Sequence, residues 1–379
     1  MKILLISDGK SIHTHRWIDS LSQHNHKVYL FCLDKFLNID NKNLAIYRGT
    51  NRFGKLGYIL SIPKLNKIVK EIEPDIIHAH YLTGYGTMVG RININRPLIL
   101  SAWGSDVFVT LRGDSLYSKL LRYLVRPALK KALFITTETK IMADILRDEF
   151  NVEEDKLRVI PWGIDLNIFK IYSKEEVNLL KKQLGFSEDS FIITSVRNIK
   201  EFYRIHEIVK AIPKVLNSRK DINIVFIFIA GYFDSIYLGK VKELAKQLNI
   251  SPKIQVFDRL LSPKEVSDIL NISDIVISIP PSDNLPKSIL EGMACGCIPV
   301  VSDTYGTREL ADNSKLKLIF TSGKAEDLAE KLIDIIDVYP TIRNEFIPWN
   351  SKIVKEKYSW ELSYREMENL YRKAMESFG

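Results

Sequence analysis

At 379 residues the chain is too long for one comfortable core and suits two domains of ordinary size. Its 46% apolar and 26% charged residues are the make-up of a globular protein in water, and three cysteines are too few for a disulfide framework, which points to a reducing cytoplasm. No apolar run approaches the roughly 18 residues that cross a bilayer, and the eight-charge cationic excess forms no basic tract. Phosphorylated ligands or an anionic membrane face are therefore favoured over nucleic acid as partners.

MKILLISDGK has no cleavage-type site after its short apolar run and reads as a first strand, Lys2–Ser7. Further strands are predicted at Lys27–Leu33, Ile76–His80, Pro97–Ser101, Leu133–Thr137 and Leu157–Ile160, with helices at Thr14–Gln23, Ile59–Glu71 and Ile141–Phe150 among them. Between Arg112 and Lys131, cations at 112, 119, 122, 126, 130 and 131 interleave with Leu116, Leu120, Leu121, Leu124 and Val125. Such a basic amphipathic helix either lies on anionic lipid heads, each cation adding about 1 kcal/mol, or packs its leucines on the first sheet. Asp165–Asp189 is polar, and a linker is expected at Phe169–Tyr172. The alternation then resumes, with strands at Phe191–Val196, Ile222–Ala230, Ile254–Phe257, Ile275–Ile279 and Ile298–Ser302. Helical patterns at Ile205–Asn217, Lys240–Leu248, Pro263–Asn271 and Lys287–Ala294 separate them. The tail, Ile342–Gly379, is amphipathic and helical. The fold class is α/β: two Rossmann-like, doubly wound domains over 1–168 and 169–345, a closing helix over 346–379, and a crevice facing the carboxyl ends of the strands.

The most informative stretch is SDNLPKSILEGMACGCIPVVSD, Ser282–Asp303. Ser282, Asp283 and Asn284 are cap-type residues, Pro286 suits a first helical turn, and Gly296 can end the helix. A helix start aimed into a crevice offers amides and a dipole to phosphate oxygens. Asp283 hangs in the loop, and Glu291 lies one to two turns inside the helix, so the two acids reach different parts of one long ligand. The thiols of ACGC sit in an apolar connection with no second ligand cluster and read as buried, not metal-bound.

This segment resembles the E-x7-E region of retaining family 4 glycosyltransferases of GT-B type, with Asp283 in place of the first Glu and Glu291 kept. The resemblance implies that Asp283 meets a donor sugar, Glu291 a ribose, and the turn of Leu285, Pro286, Lys287 and Ser288, through its backbone amides, the donor's phosphates or sugar. An ordinary capped helix with Glu291 in an ion pair is the plain alternative. VIPWGIDLNIF (Val159–Phe169) resembles the family's interdomain turn, where Gly163 is expected to supply a turn conformation. SDTYGTREL (Ser302–Leu310) resembles the segment after the helix, and YSWELSYREMENLY the terminal helix that crosses back to the first domain. In SVRNIKEFYRI, Arg197 matches the family's phosphate-binding Arg, but the Lys position holds Phe202; Lys200 or Arg204 could supply the charge, or could be solvated helix-end cations.

In the first half, Gly9 of DGKSIHTHRW occupies the place of the family's glycine-rich loop, with Ser11 and His13 able to face the crevice. His13/His15 and His78/His80 share a spacing that in a strand puts both rings on one face, yet no Cys or acid recurs at zinc-ligand spacing. DIIHAHY resembles the family strand whose second His, here His80, lies near the transferred sugar; SAWGSDVF carries Trp103 where the family has His, and keeps Asp106.

Taken together, the resemblance implies a metal-independent retaining glycosyltransferase. It would move a sugar from a UDP- or GDP-sugar to a glycan or lipid-linked acceptor in cell-surface polysaccharide or lipopolysaccharide assembly, at the cytoplasmic membrane face. No cofactor and no Asp-x-Asp metal motif is expected. His80, Asp283 and Arg197 would be catalytic. Arg197, Lys200, residues 285–288, Glu291 and Gly9 would bind the donor, and His13, Trp103 and Asp106 the acceptor. The rival readings are a GT-B-type epimerase or phosphorylase and a non-catalytic sugar-nucleotide-binding subunit. A dehydrogenase is disfavoured because no G-x-G-x-x-G follows either first strand.

Overall fold

The computed structural model describes residues 1–34, 41–52, 54–229, 231, 233–314 and 316–378; Ala230 and Gly379, at the ends of two expected elements, fall outside them. The chain divides into two compact units, Met1–Pro161 with Ser363–Gly379, and Trp162–Leu362.

The first unit holds seven strands: β1 Lys2–Ile6, β2 Lys27–Cys32, β3 Leu44–Arg48, β4 Ile76–His80, β5 Leu98–Ser101, β6 Phe134–Thr137 and β7 Leu157–Val159. They run parallel in the order β3-β2-β1-β4-β5-β6-β7. Ile3, Leu4, Leu5 and Ile6 are fully buried, because a parallel sheet has helices on both faces and leaves its central strand no wet side. β3 escaped the sequence pattern: it is a short edge strand, LAIYR, with only exposed and half-buried residues. The Leu116–Lys131 helix divides its apolar residues. Leu121, Val125, Ala128 and Leu129 pack into the core, while Leu116 is 84%, Tyr123 68% and Leu120 53% exposed. The terminal helix Trp360–Phe378 enters this unit from Ser363, with His24 stacked on Tyr364 and the His78 ring bonded to the Tyr371 hydroxyl.

The second unit has six parallel strands: β8 Phe191–Ser195, β9 Ile224–Ile229, β10 Ile254–Phe257, β11 Ile275–Ser278, β12 Ile298–Ser302 and β13 Ile319–Thr321. Their order is β10-β9-β8-β11-β12-β13. It also contains a helix the polar linker reading missed, Lys174–Gln183, which starts on a reciprocal capping box between Ser173 and Glu176. The break between units lies at Pro161, ahead of the expected 168. Ile164 and Phe169 belong to the second core, and Ile164 exchanges backbone hydrogen bonds with Tyr358 and Trp360. Gly163 serves this approach instead of a left-handed turn, since any Cβ there would run into the Tyr358 carbonyl. Residue 346 lies inside the long helix Ala325–Lys357, so the expected start of the closing segment falls within the second unit.

In each sheet the strand order reverses between neighbouring strands, β1 and β4 in the first and β8 and β11 in the second. Open α/β sheets bind ligands beyond the carboxyl ends of such a pair, because the connections leave in opposite directions and open a gap.

Candidate functional site

The second switch point carries the charged cluster. Arg197 stands two residues past β8, and Asp283 five past β11. The Arg197 guanidinium pairs through Nη2 with Asp283 Oδ2 at 3.1 Å, donates through Nη1 to Ser288 Oγ at 3.1 Å, and stacks 4.4 Å from the Tyr203 ring centre. The two charged side chains keep only 14% and 16% of their surface in solvent, so the pair is screened far less than an exposed one. The helix begins at Lys287 with Pro286 as its N-cap and no side-chain cap, which corrects the expected capping by Ser282–Asn284. Asp283 is instead held by Arg197, and its Oδ1 accepts from the Asn284 amide at 3.1 Å. The start of helix Tyr305–Ser314, after β12, props this turn: the Gly306 amide donates to the Asp283 carbonyl, and a Cβ at Gly306 would collide with the Asn284 carbonyl.

Leu285 is buried, so it offers the site its backbone and not its side chain. Lys287 Nζ lies 5.5 Å above the Trp162 ring, and Glu291 is half-buried within the helix. Lys200 is exposed at the start of the single turn Glu201–Tyr203. Cys295 and Cys297 are buried, the Cys297 thiol donating to the Leu270 carbonyl at 3.1 Å, and burial pushes the Cys295 thiol up to about 12. Among the described residues no group of three or more His, Cys, Asp or Glu could hold a metal ion.

At the first switch point the groups buried at the strand ends are uncharged, while Asp8 and Asp34 line the cavity beside them. Ser7, one residue past β1, is hydrogen-bonded to His80 Nδ1 at 3.1 Å and to Thr14 at 2.7 Å. His78 contacts His80 ring to ring at 4.5 Å and is bonded to Tyr371 and Ser101, each at 2.7 Å. Burial pushes His80 well below the ordinary histidine range, helped by His78 and His13, and lowers His78 to about 3; both imidazoles are uncharged at neutral pH. His80 lines a cavity of about 180 Å³ together with Ser7, Asp8, Tyr81 and Trp103. The Trp103 ring centre lies 5.6 Å from those of His13 and His80 and 6.0 Å from that of Tyr81. Tyr81 was missed in the sequence; it carries a positive φ of 73° directly after His80, a strained backbone of the kind found at ligand sites.

Three expectations for this half are corrected. His13 and His15 lie on helix Ile12–Gln23, where a spacing of two separates them; His13 meets Trp103, while His15 Nε2 donates to the Gly9 carbonyl at 2.7 Å. Ser11 is the N-cap of that helix, its side chain accepting from the His13 amide. Asp106 is no acceptor ligand. It is fully buried, and its carboxylate accepts from the backbone amides of Leu82, Trp103, Gly104 and Val107, tying two loops together.

The description "Glycosyl transferase 4-like" fits residues 2–139, and "Glycosyl transferases group 1" fits residues 176–348. The chain belongs to the group 1 glycosyltransferases, of family 4 type. This glycosyltransferase is 26% identical to the Methanocaldococcus jannaschii "Uncharacterized glycosyltransferase MJ1607", over 99% of this chain and 96% of that one. It is 21% identical to N-acetyl-alpha-D-glucosaminyl L-malate synthase of Bacillus anthracis, over 72% of this chain and 68% of the other. Its GT-B fold is shared with Anabaena Alr3699/HepE, solved in complex with UDP, at a TM-score of 0.80, 16% identity, and coverage of 98% of this chain and 100% of that one.

Proposed function

We propose that this glycosyltransferase moves a sugar from a UDP- or GDP-sugar to a glycan or lipid-linked acceptor with retention at the anomeric carbon, in cell-surface polysaccharide or lipopolysaccharide assembly. The observation that carries the reading is the Arg197 guanidinium fixed at the second switch point by Asp283, Ser288 and Tyr203. As the bond from the anomeric carbon to the leaving phosphate oxygen breaks, charge grows on the diphosphate, and a preorganised guanidinium beside the start of helix Lys287–Ala294 stabilises it without reorganising. Asp283 meets the sugar and Glu291 the ribose. The acceptor oxygen bonds to the anomeric carbon on the face the phosphate leaves, and its proton passes to a leaving-phosphate oxygen. No metal ion or covalent enzyme intermediate is needed. His80, held neutral, gives the transferred sugar a hydrogen bond without adding a charge.

The acceptor side is read from the first unit. His13 and Trp103 form an aromatic face suited to a sugar ring. The exposed Leu116, Leu120 and Tyr123 with Lys119, Arg126 and Lys130 form an apolar and cationic surface for an anionic membrane, at its cytoplasmic face. Among the described residues no helix is long and apolar enough to cross a membrane.

The decisive experiment incubates the protein, treated with chelator, with UDP-, GDP- and ADP-sugars and follows donor hydrolysis and transfer, with NMR of the anomeric centre in the product. Retained configuration with one donor class is expected. Inverted product, or turnover unchanged in Arg197→Ala and Glu291→Ala proteins that keep their circular dichroism, overturns the assignment. Vesicle flotation tests the surface: binding to vesicles with phosphatidylglycerol and none to pure phosphatidylcholine is expected, lost in Leu116→Glu/Leu120→Glu.

A further inference from the structure

The cavity beside His80 gathers residues from the carboxyl ends of four neighbouring strands. Asp34 stands two residues past β2, Asp8 two past β1, Tyr81 one past β4 and Trp103 two past β5. Tyr58 and Tyr85 complete the wall, edge to face with ring centres 5.1 Å apart. The wall is fixed in place. The Tyr85 hydroxyl accepts from the Leu33 amide at 3.2 Å, and a Cβ on Gly84 would lie 2.8 Å from the Tyr58 ring, which packs there on bare backbone. A volume of about 180 Å³ is the room of roughly six waters, which suits one sugar ring.

The charges lining this space have one sign. Asp8 and Asp34 supply carboxylates, and among the described residues no Lys or Arg lines the cavity. Lys10 approaches Asp34 Oδ1 at 3.6 Å, but 57% of its side chain is in solvent, where an ion pair is weak. His80 is uncharged. Burial, with Asp34 and Asp8 nearby, pushes the Tyr58 phenol up to about 12, so it stays a neutral donor. The Lys10 amide donates to Asp8 Oδ1 at 2.9 Å and Asn51 Nδ2 to Asp34 Oδ1 at 2.6 Å, which orients both acids. Among the described residues neither Oδ2 takes a hydrogen bond, so each acid keeps an oxygen for a ligand.

We propose that this cavity seats the terminal ring of the acceptor as a sugar bearing hydroxyls or an amine and no anionic group, with Asp8 and Asp34 as the residues that select against phosphate and carboxylate. This rests on the sugar-transfer reading above and adds to it the charge class of the acceptor. The ring packs its C–H faces on the aromatic wall, and its hydroxyl or ammonium hydrogens donate to the two carboxylates. A phosphate or uronate brings acceptors and a like charge to the same oxygens.

The test compares four forms of one ring. Methyl glycosides of glucose, galactose and mannose, each as the neutral sugar, the 2-amino sugar, the 6-uronate and the 6-phosphate, are titrated by saturation-transfer NMR against the wild type, Asp8→Asn, Asp34→Asn and the double variant. Calorimetry on the same wild-type preparation measures UDP and GDP affinity. For at least one ring the neutral or amino form is expected to bind the wild type about 10- to 100-fold more tightly than the uronate and the phosphate. The asparagine variants keep the shape of the acids and remove their charge, and should narrow that ratio to less than about threefold in the double variant. A merely structural role would weaken all four forms alike and leave the ratio where it was. Anionic forms that bind as well as neutral ones, a ratio unmoved in the double variant, or ring binding that survives in a folded Trp103→Ala protein overturns the proposal. Nucleotide binding with no sugar bound overturns it alone, whereas a chain that binds neither overturns the sugar-transfer reading as well.

Discussion

At the strand-order reversal of the first sheet a buried serine meets a neutral histidine; at that of the second, an arginine meets an aspartate. The two places share topology and differ in chemistry. Around His80 the neighbours are Ser7, His78 and Trp103, and burial strips the imidazole of charge. Around Arg197 they are Asp283, Ser288 and Tyr203, which hold a full cation at the rim. A switch point therefore supplies only a position. The residues just past the strands decide whether that position suits uncharged hydroxyls or an anionic diphosphate.

The contrast breaks most sharply at Arg197. Arg197→Ala is expected to lower donor turnover about 10²- to 10³-fold, whereas His80→Ala should lower turnover by a smaller factor and leave calorimetric nucleotide affinity unchanged. A matching loss of nucleotide affinity at both sites would erase the distinction. Next comes Asp106→Ala, which orphans four backbone amides in the first unit and is expected to destabilise the fold by about 3 kcal/mol or more, seen as a lowered thermal midpoint with the family's chemistry otherwise intact in what remains folded.

Gly306→Ala disturbs the second unit alone, by pushing its methyl into the Asn284 carbonyl; a loss of about 1–3 kcal/mol in urea unfolding and weaker nucleotide binding are expected. The remaining effect is in pH. The folded state holds His78 at about 3 against an ordinary 6.5, so the unfolded chain takes up the proton first as pH falls. Stability is present above about pH 6.5 and is lost between 6.5 and 3, at about 1.4 kcal/mol per pH unit for this one group. Urea midpoints across pH 4.5–7.5 measure it, and His78→Phe should flatten the slope.

Much of the fold was legible because parallel strands buried on both faces write themselves as apolar runs. The strands that stayed hidden, β3 and β13, are short edge strands that are partly exposed, so their apolar runs are brief and do not stand out. Helix Lys174–Gln183 stayed hidden for a related reason: it buries little apolar surface, and its start is marked by polar capping residues. In the site, Arg197, Asp283 and Ser288 were each readable from their motifs. That one guanidinium holds the other two was not, since they are far apart along the chain and neighbours only because β8 pairs with β11.

By itself the sequence determined the two α/β halves, the family, and the residue types that stand just past the strand ends, because burial periodicity and local motifs act over a few residues. Only the tertiary structure decided which of them function together. It buried Asp106 among four amides, placed His13 and His15 on different sides of a helix, and brought Asp8 and Asp34 to one cavity. Those outcomes depend on which strands pair and which loops then converge, and such long-range geometry leaves no periodic mark on the chain.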